Sequence, residues 1–270
     1  MSIKNVHGNI VDLLGEAIVA GRHAPGASMP PEPLLGAELG VSRTVVREAV
    51  KSLIAKGLVT TGPKVGTRVQ AEDQWNWFDP DVITWRSRAG LTPEFLQDLQ
   101  DLRRIVEPAA VRLAAERATA ADIAALQAAF AGMTEAVHGG GDYVHYDLQF
   151  HQGLLRAGGN RLLLHMSRAL SALLRTSFEL STRKKDGTLQ SLPLHRAVLD
   201  AVVARDPARA EKAIRVLIEG AHLDIQEVLS SRSRRARLSV GTHAPARTPA
   251  RPPARKQAAA RPALKKKTKI

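Results

Sequence analysis

The stretch LGVSRTVVREAVKSLIAKGLVTTGPKVGTRV, residues 39–69, decides the fold of the amino-terminal part of the chain. Ser42 is a residue type that caps helices, and apolar residues follow it at helical spacing as far as about Lys56. After Gly57 the pattern changes to two short runs of β-type residues on either side of a Gly/Pro turn at residues 62–66. The stretch therefore predicts a capped helix followed directly by a β-hairpin.

Two further helices are predicted upstream of this stretch. Residues 9–20 carry apolar side chains at helical spacing, and residues 34–39 form a short helix that stops at Gly40. The segment between them, HAPGASMPPEP, is rich in Pro and Gly and is typical of a connection. The order helix, helix, turn, helix, hairpin is that of a winged helix-turn-helix domain, whose recognition helix enters the major groove of double-stranded DNA.

Arg43 and Arg47 are the strongest candidates for reading DNA. They are four residues apart at the start of the predicted recognition helix, so both guanidinium groups project from one face. Arginine binds the O6 and N7 atoms of guanine through paired hydrogen bonds, and short hydroxyl side chains suit phosphate oxygens beside a helix amino terminus. The predicted DNA contacts, with those of the hairpin included, are Ser42, Arg43, Thr44, Arg47, Lys64 and Gly66.

The motif GVSRTVVREAVKSLIAKGLV, followed by GTRV, resembles the DNA-binding domain of the GntR family of bacterial regulators. The runs DQWNWFDPDVITW and DLRRIVEPAAVRLAAERAT are similar to the galactonate-operon repressor branch of that family. The resemblance implies a transcription regulator, expected to be a repressor, that binds a palindromic operator as a homodimer. Pro33 stands where many members carry an arginine that touches DNA, so the resemblance also implies that this contact is missing.

The chain from residue 93 to residue 230 is predicted to be an all-α antiparallel bundle. It is rich in Ala and Leu at helical spacing, and a bundle buries such faces. The predicted helices span residues 93–117, 121–137, 142–157, 161–180, 192–204 and 207–230. The resemblance implies an FCD domain of the FadR-like type. The predicted fold class is thus mainly α, with a winged helix-turn-helix at 1–72, a linker at 73–92 and an effector-binding and dimerisation domain at 93–230.

The linker and the carboxyl-terminal tail differ in composition from both domains. The segment AEDQWNWFDPDV carries two of the three tryptophans, so we expect the linker to dock against a domain. Residues 231–270 hold eight arginines and five lysines without Asp or Glu, and subtracting these 13 charges from the net +13 leaves residues 1–230 neutral. The tail has almost no bulky apolar residue and is predicted to be disordered. It is either a solvated extension or a source of sequence-independent DNA affinity.

Asp147, His151 and His195 are candidate metal ligands. Asp147 and His151 are four residues apart on one side of a predicted helix, and His195 points to the apolar face of another. Each histidine alone could equally be a core residue, but Asp and His side chains that face one another across a bundle can bind a divalent ion such as Zn, Ni or Mn. The resemblance implies these three ligands. It places the family's fourth, a histidine, at Leu217, and His222 could substitute only if the helix register shifted.

Arg103 is the candidate effector ligand. It lies on or beside the packed face of its helix, where a guanidinium without a partner is very costly. Its partner is either Glu107, one turn further on, or the carboxylate of an effector, which the match to LRRIVEP implies. Asn160, in AGGNRL, fits the family's pocket region or only marks a helix break. The expected effector is a small carboxylate, a sugar acid such as galactonate, with lactate and gluconate as alternatives.

Composition excludes several classes of protein. The chain has no cysteine, which excludes disulfides and thiolate metal sites, and no apolar run approaches the roughly 20 residues that span a bilayer. The amino terminus lacks the pattern of a secretory signal. We therefore expect a cytoplasmic, nucleoid-associated protein without a membrane partner. Two rivals remain: an architectural DNA binder driven by the tail, and a metal-dependent enzyme, which is not expected because no second set of catalytic residues accompanies the ligands.

Overall fold

The computed structural model describes residues 3–139 and 141–241 of the protein. The amino-terminal part contains three helices and a hairpin, in the order predicted from the sequence. These elements are α1 (Ile3–Val19), α2 (Glu32–Leu39), α3 (Arg43–Ala55), β1 (Val59–Gly62) and β2 (Gly66–Val69). The two strands pair antiparallel, with Val59 opposite Val69 and Gly62 opposite Gly66. A bridge between Ser28 and Arg68 fixes the connection after α1 along the outer edge of the hairpin.

The recognition helix α3 is held by a cap and by one buried face. The Ser42 side chain accepts a hydrogen bond from the Val45 amide at 3.3 Å, which satisfies one of the free N–H groups at the helix start. One face of α3 is buried in a core shared with α1, to which it contributes Val46, Ala49, Val50 and Leu53. The opposite face, which bears Arg43 and Arg47, is exposed.

The segment predicted as a linker contains a helix of its own, α4 (Pro80–Ala89), after a short 3-10 helix at Glu72–Gln74. Asp79 caps α4 through the amides of Asp81 and Val82. Trp85 is fully buried, and its Nε1 donates to Asp12 Oδ1 of α1 at 3.0 Å. Its ring lies over Gly15, where a Cβ would come within 2.3 Å of ring carbons, so only glycine admits α4 at this distance. The helix is therefore packed against the amino-terminal domain.

The rest of the described chain is a helical bundle, which confirms the predicted fold class. Its helices are α5 (Pro93–Arg117), α6 (Ala120–Val137), α7 (Tyr143–Ala157), α8 (Arg161–Ser181), α9 (Gly187–Val203) and α10 (Pro207–Gly241). Most begin at a side-chain cap, such as Thr92 before Pro93 and Thr119, which forms a reciprocal capping box with Asp122. The main core of the bundle lies between α5, α6, α7, α9 and α10.

Three predicted boundaries were wrong. Helix α1 begins at Ile3, six residues before the predicted start at residue 9. Helix α9 begins at Gly187, five residues before the predicted start, because the chain remains helical ahead of Pro193. Proline favours the first turn of a helix, and the prediction therefore began next to it. Helix α10 continues to Gly241, so residues 231–241 are helical and not disordered; Arg and Ala are strong helix formers that can extend a helix already begun. The remainder of the predicted disordered tail, residues 242–270, lies outside the described residues.

Within the described ranges, no helix combines the length and the apolar character needed to cross a membrane.

A candidate DNA-binding face and a buried ligand site

The amino terminus of α3 presents four of the predicted DNA contacts to solvent: Ser42, Arg43, Thr44 and Arg47. Arg43 Nε lies 3.4 Å from Glu32 Oε2 of α2, and the arginine side chain remains 73 % exposed. Such a surface ion pair contributes little free energy, so a phosphate or a base edge can replace Glu32 as the partner. The geometry is suited to DNA contact, and the assignment of these residues stays a prediction.

The tip of the hairpin carries the other two predicted contacts. Lys64 and Gly66 are both exposed and have φ values of 64° and 73°, and the turn is closed by the Val65 amide, which donates to Gly62 O at 3.2 Å. A left-handed conformation costs a residue with a side chain about 1–2 kcal/mol. Lys64 keeps a strained backbone where glycine would fit, a pattern often found at functional positions. The sequence motif did not reveal this strain.

The carboxyl end of α3 is tied to α4 by charge. Lys56 Nζ donates to both carboxylate oxygens of Asp79 at 2.9 Å and to Asp81 Oδ2 at 2.6 Å. Burial lowers the pKa of Lys56, but its hydrogen bonds to Asp81 and Asp79 outweigh burial and raise the pKa above the usual 10.5. The recognition helix and α4 are therefore connected by an ionised cluster as well as through α1.

The helical domain buries a second polar group, formed by Arg103 and Glu107 of α5 and His151 of α7. All three are at most 2 % exposed. Arg103 Nε donates to Glu107 Oε1 at 2.6 Å, and Glu107 Oε2 lies 2.7 Å from His151 Nδ1. Burial alone would raise the pKa of Glu107, but the neighbouring Arg103 and His151 lower it to about 2. Glu107 is thus an ionised bridge between the arginine and the imidazole.

The three predicted metal ligands meet beside this bridge. His195 Nε2 lies 3.0 Å and His151 Nε2 3.4 Å from the same oxygen, Asp147 Oδ1. The other ring nitrogens face acceptors, Glu107 Oε2 for His151 and the Ser191 carbonyl at 2.9 Å for His195. With each Nδ1 facing an acceptor of its own, the Nε2 atoms of both rings are directed at one carboxylate oxygen. Three electron-rich atoms together favour a cation between them.

This donor set fits a metal ion. One ligand atom from each of Asp147, His151 and His195 lies within 4.8 Å of the others, and all three residues are buried. An acceptor on the far nitrogen of each histidine is the arrangement that fixes metal-binding imidazoles in proteins. Leu217 lines the same cavity and cannot ligate. The His222 ring lies 2.8 Å from the Gln226 amide instead and is not among the described cavity residues, so it does not complete the set in this structure.

The cavity around this group has a volume of about 20 Å³. Its lining consists of Arg103, Tyr143, Asp147, His151, Phe178, Ser181, Thr182, Gly187, Thr188, Ser191, His195, Leu217, Ala221 and Asp224. The guanidinium of Arg103 stacks 5.1 Å from the centre of the Phe178 ring. Its Nη1 atom is buried and has no hydrogen-bond partner among the described residues. Both partners considered for Arg103 therefore remain relevant, because Glu107 occupies Nε and leaves Nη1 for a ligand.

Asn160 and Tyr143 lie at opposite ends of the comparison with the sequence: Asn160 takes the helix-break alternative given for it, and Tyr143 is a cavity residue that was not predicted. Asn160 caps α8 by accepting from the amides of Leu162 and Leu163, and it is not among the described residues that line the cavity. Tyr143 was not predicted as a site residue but lines the cavity one turn before Asp147. The four-residue spacing that linked Asp147 to His151 extends back to Tyr143 and could have indicated it.

Two protein families match the chain. Residues 7–69 match the bacterial regulatory proteins of the gntR family, and residues 98–220 match the FCD domain. The galactonate operon transcriptional repressor of Escherichia coli is 33 % identical over 220 residues, which cover 81 % of this chain and 96 % of that protein. The uncharacterised regulator YieP of the same organism is 32 % identical over 218 residues, covering 80 % and 93 %.

One solved structure supports the same fold. It is described as Lar, which controls the expression of the Listeria monocytogenes agr system, and it superposes with a TM-score of 0.61 at 16 % identity. The match covers 84 % of this chain and 98 % of that one.

Proposed function

The chain belongs to the GntR family of bacterial regulatory proteins, and from this premise we propose that it represses sugar-acid catabolism genes until a small carboxylate releases it from DNA. Transcription regulation through DNA binding follows from the family, whose matched domains and relatives are regulators and not enzymes. The proposal adds the direction of regulation, the effector and the homodimer.

The DNA contacts in this proposal come from the start of α3 and the tip of the hairpin. Arg43 and Arg47 reach base edges in the major groove, Ser42 and Thr44 contact phosphate oxygens, and Lys64 with the backbone at Gly66 contacts the neighbouring phosphates. A homodimer joined through the helical domains places two such faces on a palindromic operator of double-stranded DNA. The exposure of all these residues supports this arrangement.

The observation that carries the effector proposal is the Nη1 atom of Arg103, which has no partner in the described ranges of the chain. A guanidinium that is 1 % exposed and uses only Nε on Glu107 has a donor left for an incoming acceptor. A carboxylate is the strongest such acceptor, because the hydrogen bond then joins opposite charges. The name of the related galactonate operon repressor supports a sugar acid as the molecule that carries this carboxylate.

A divalent ion, Zn, Ni or Mn, belongs to the proposal because Asp147, His151 and His195 fit one. Bound there, the ion would supply a positive charge beside Arg103 for the carboxylate of the effector. Glu107 holds the His151 ring by its Nδ1 atom, and the Ser191 carbonyl holds the His195 ring in the same way. Leu217 in place of a fourth protein ligand leaves the remaining coordination to solvent or to the effector.

Effector binding has a physical route to the DNA-binding domain. A cavity of about 20 Å³ holds about one water molecule, so a sugar acid must push its walls apart. One wall is Phe178 of α8, and Thr176 on the same helix is hydrogen-bonded to Ser87 of α4. Helix α4 in turn is fixed to α1 through Trp85. An effector that prefers a displaced α8 therefore also favours a displaced recognition helix, and DNA is released.

The DNA-binding part of the proposal is tested by selecting an operator from random duplexes and measuring its retention with and without excess unrelated DNA. The full-length protein should keep its operator in the competition, whereas a binder driven by the basic tail should lose it. Replacing Arg43 and Arg47 together by alanine should cost roughly 1–3 kcal/mol for each arginine.

Arg209→Ala on the exposed surface of α10 is the matched control for the loss of a positive charge, and it should leave retention unchanged. Undiminished retention by the double variant of α3 would overturn the proposed DNA face.

A further inference from the structure

The cavity beside Arg103, in which the effector is proposed to bind, contains a second buried hydrogen-bond donor. The hydroxyl of Tyr143 is buried and makes no hydrogen bond of good geometry within the described part of the chain, although the Ser191 side chain lies close enough to interact with it. Burial, reinforced by the negative charge of Asp147, raises the pKa of Tyr143 well above its usual value, so the phenol keeps its proton. A buried hydroxyl without an acceptor costs free energy, and a ligand that brings an acceptor oxygen recovers it.

The side chains around Tyr143 indicate what kind of acceptor is suited to the site. Apart from the ion-pair cluster, the lining contains four hydroxyl-bearing residues, Ser181, Thr182, Thr188 and Ser191. Its apolar members are Phe178, Leu217 and Ala221, of which Phe178 is stacked on Arg103. Ser181 and Thr182 already donate to backbone carbonyls of their own helix, and Ser191 Oγ lies 3.2 Å from His195 Nδ1. An acid with an alkyl chain would therefore leave the Tyr143 hydroxyl without an acceptor, whereas a hydroxylated chain can pair with it.

We propose that Tyr143 selects the effector by donating its phenolic hydrogen to a hydroxyl oxygen on the carbon chain of the acid, while Arg103 binds the carboxylate. The site then prefers polyhydroxy acids to simple acids of the same length. This inference rests on the proposed function and specifies its ligand class. Rejection of the analogue that lacks a hydroxyl is strong in such sites, because the buried protein donor is left unpaired.

Tyr143→Phe tests the proposal because it removes only the hydroxyl. The full-length variant is compared with wild type and with Tyr146→Phe, which changes the other tyrosine of α7, whose ring packs against Gly132. Calorimetric titration with galactonate should show affinity lowered at least about 10-fold in Tyr143→Phe, the size expected when a buried hydrogen bond is lost. Tyr146→Phe should bind as wild type does.

Deoxygenated ligands separate a direct contact from a structural effect. One of the monodeoxygalactonates should bind wild type about 10-fold more weakly than galactonate does. Its affinity for Tyr143→Phe should be no lower than its affinity for wild type, because the same hydrogen bond has already been removed. The other monodeoxy acids should keep the difference between the two proteins. This series, measured on wild type alone, tests the proposal even if the variant folds poorly. Hexanoate, with six carbons and no hydroxyl on its chain, should bind wild type more weakly than galactonate does.

The outcomes distinguish this inference from the function on which it rests. If wild type binds galactonate but Tyr143→Phe binds it equally well, or if every monodeoxy acid binds wild type as galactonate does, the role of Tyr143 is overturned and the effector proposal stands. If wild type binds galactonate no better than hexanoate, the preference for polyhydroxy acids is overturned. If wild type binds neither galactonate, gluconate nor lactate, the carboxylate effector itself fails and Tyr143 has no ligand to select.

Discussion

The DNA-binding face and the buried ligand site achieve function in opposite ways. On the DNA-binding face, Arg43 and Arg47 belong to one helix, are exposed, and find their partners outside the molecule. In the ligand site, Glu107 and His151 are 44 positions apart and Asp147 and His195 are 48 apart, and they are each other's partners. Exposed charges can be removed at little cost to folding, whereas buried charges are part of the core that they occupy.

The largest expected effect tests this difference. Glu107→Leu removes the carboxylate that pairs with Arg103 and His151, and it leaves a buried guanidinium without compensation. Breaking a buried ion pair in this way destabilises a protein by about 3–5 kcal/mol. Urea denaturation should show this loss for Glu107→Leu, while the double alanine variant at Arg43 and Arg47 should unfold like wild type.

The pH dependence of the same measurement sharpens the comparison. The folded pKa of Glu107 is depressed to about 2 from 4.5, so its contribution to stability is present above pH 4.5 and is lost as the pH falls toward 2. In chelator-treated protein, the stability difference between wild type and Glu107→Leu should therefore shrink over this interval. A difference that stays constant down to pH 2 would contradict the ionised bridge.

Metal affinity should depend on the three converging ligands, Asp147, His151 and His195, and should not depend on His222. Loss of a residue that only orients a ligand typically costs 10–100-fold in affinity, so His151→Ala and His195→Ala should each lower zinc affinity by at least about 100-fold. His222→Ala is the matched control, since its ring faces Gln226. Calorimetric titration with Zn²⁺ measures all three; an equal loss for His222→Ala would require a different ligand set.

The smallest expected effect concerns the tip of the hairpin, where function and stability should separate. Lys64→Gly relieves the left-handed strain but adds freedom to the unfolded chain, so stability should be unchanged or higher by up to about 1 kcal/mol. Loss of one phosphate contact should reduce the slope of log affinity against log salt by about 0.9. A stable variant with an unchanged salt slope would show that Lys64 does not touch DNA.

Local signals explain how much of the fold could be predicted. Helix α5 begins and ends where Thr92, Pro93 and the apolar spacing place it, because caps and periodicity act within a few residues. Helix α4 was not predicted because its stability depends on Trp85 reaching Gly15 and Asp12, which lie 70 and 73 positions earlier in the chain. Contacts of that range leave no local pattern.

The same distinction holds for the candidate site. Spacing along α7 and the family resemblance indicated Asp147, His151 and His195, and the structure brings these three together. The sequence could not predict which buried donors lack a partner among the described residues, because this depends on every neighbour around Arg103 Nη1 and the Tyr143 hydroxyl. Asn160 shows the converse, since its Oδ1 atom has a local role as the cap of α8, and its contact with an effector stays a prediction.

The coupling between the two regions is tested most directly by titrating galactonate into wild-type protein bound to its selected operator, followed by fluorescence anisotropy of the DNA. Wild type should release the operator as galactonate rises. Arg103→Lys, which keeps a positive charge beside Glu107 but loses the second donor of the guanidinium, should bind the operator equally well and release it only at much higher galactonate. Release at the same concentration in both proteins, or no release from wild type at millimolar galactonate, would contradict the account.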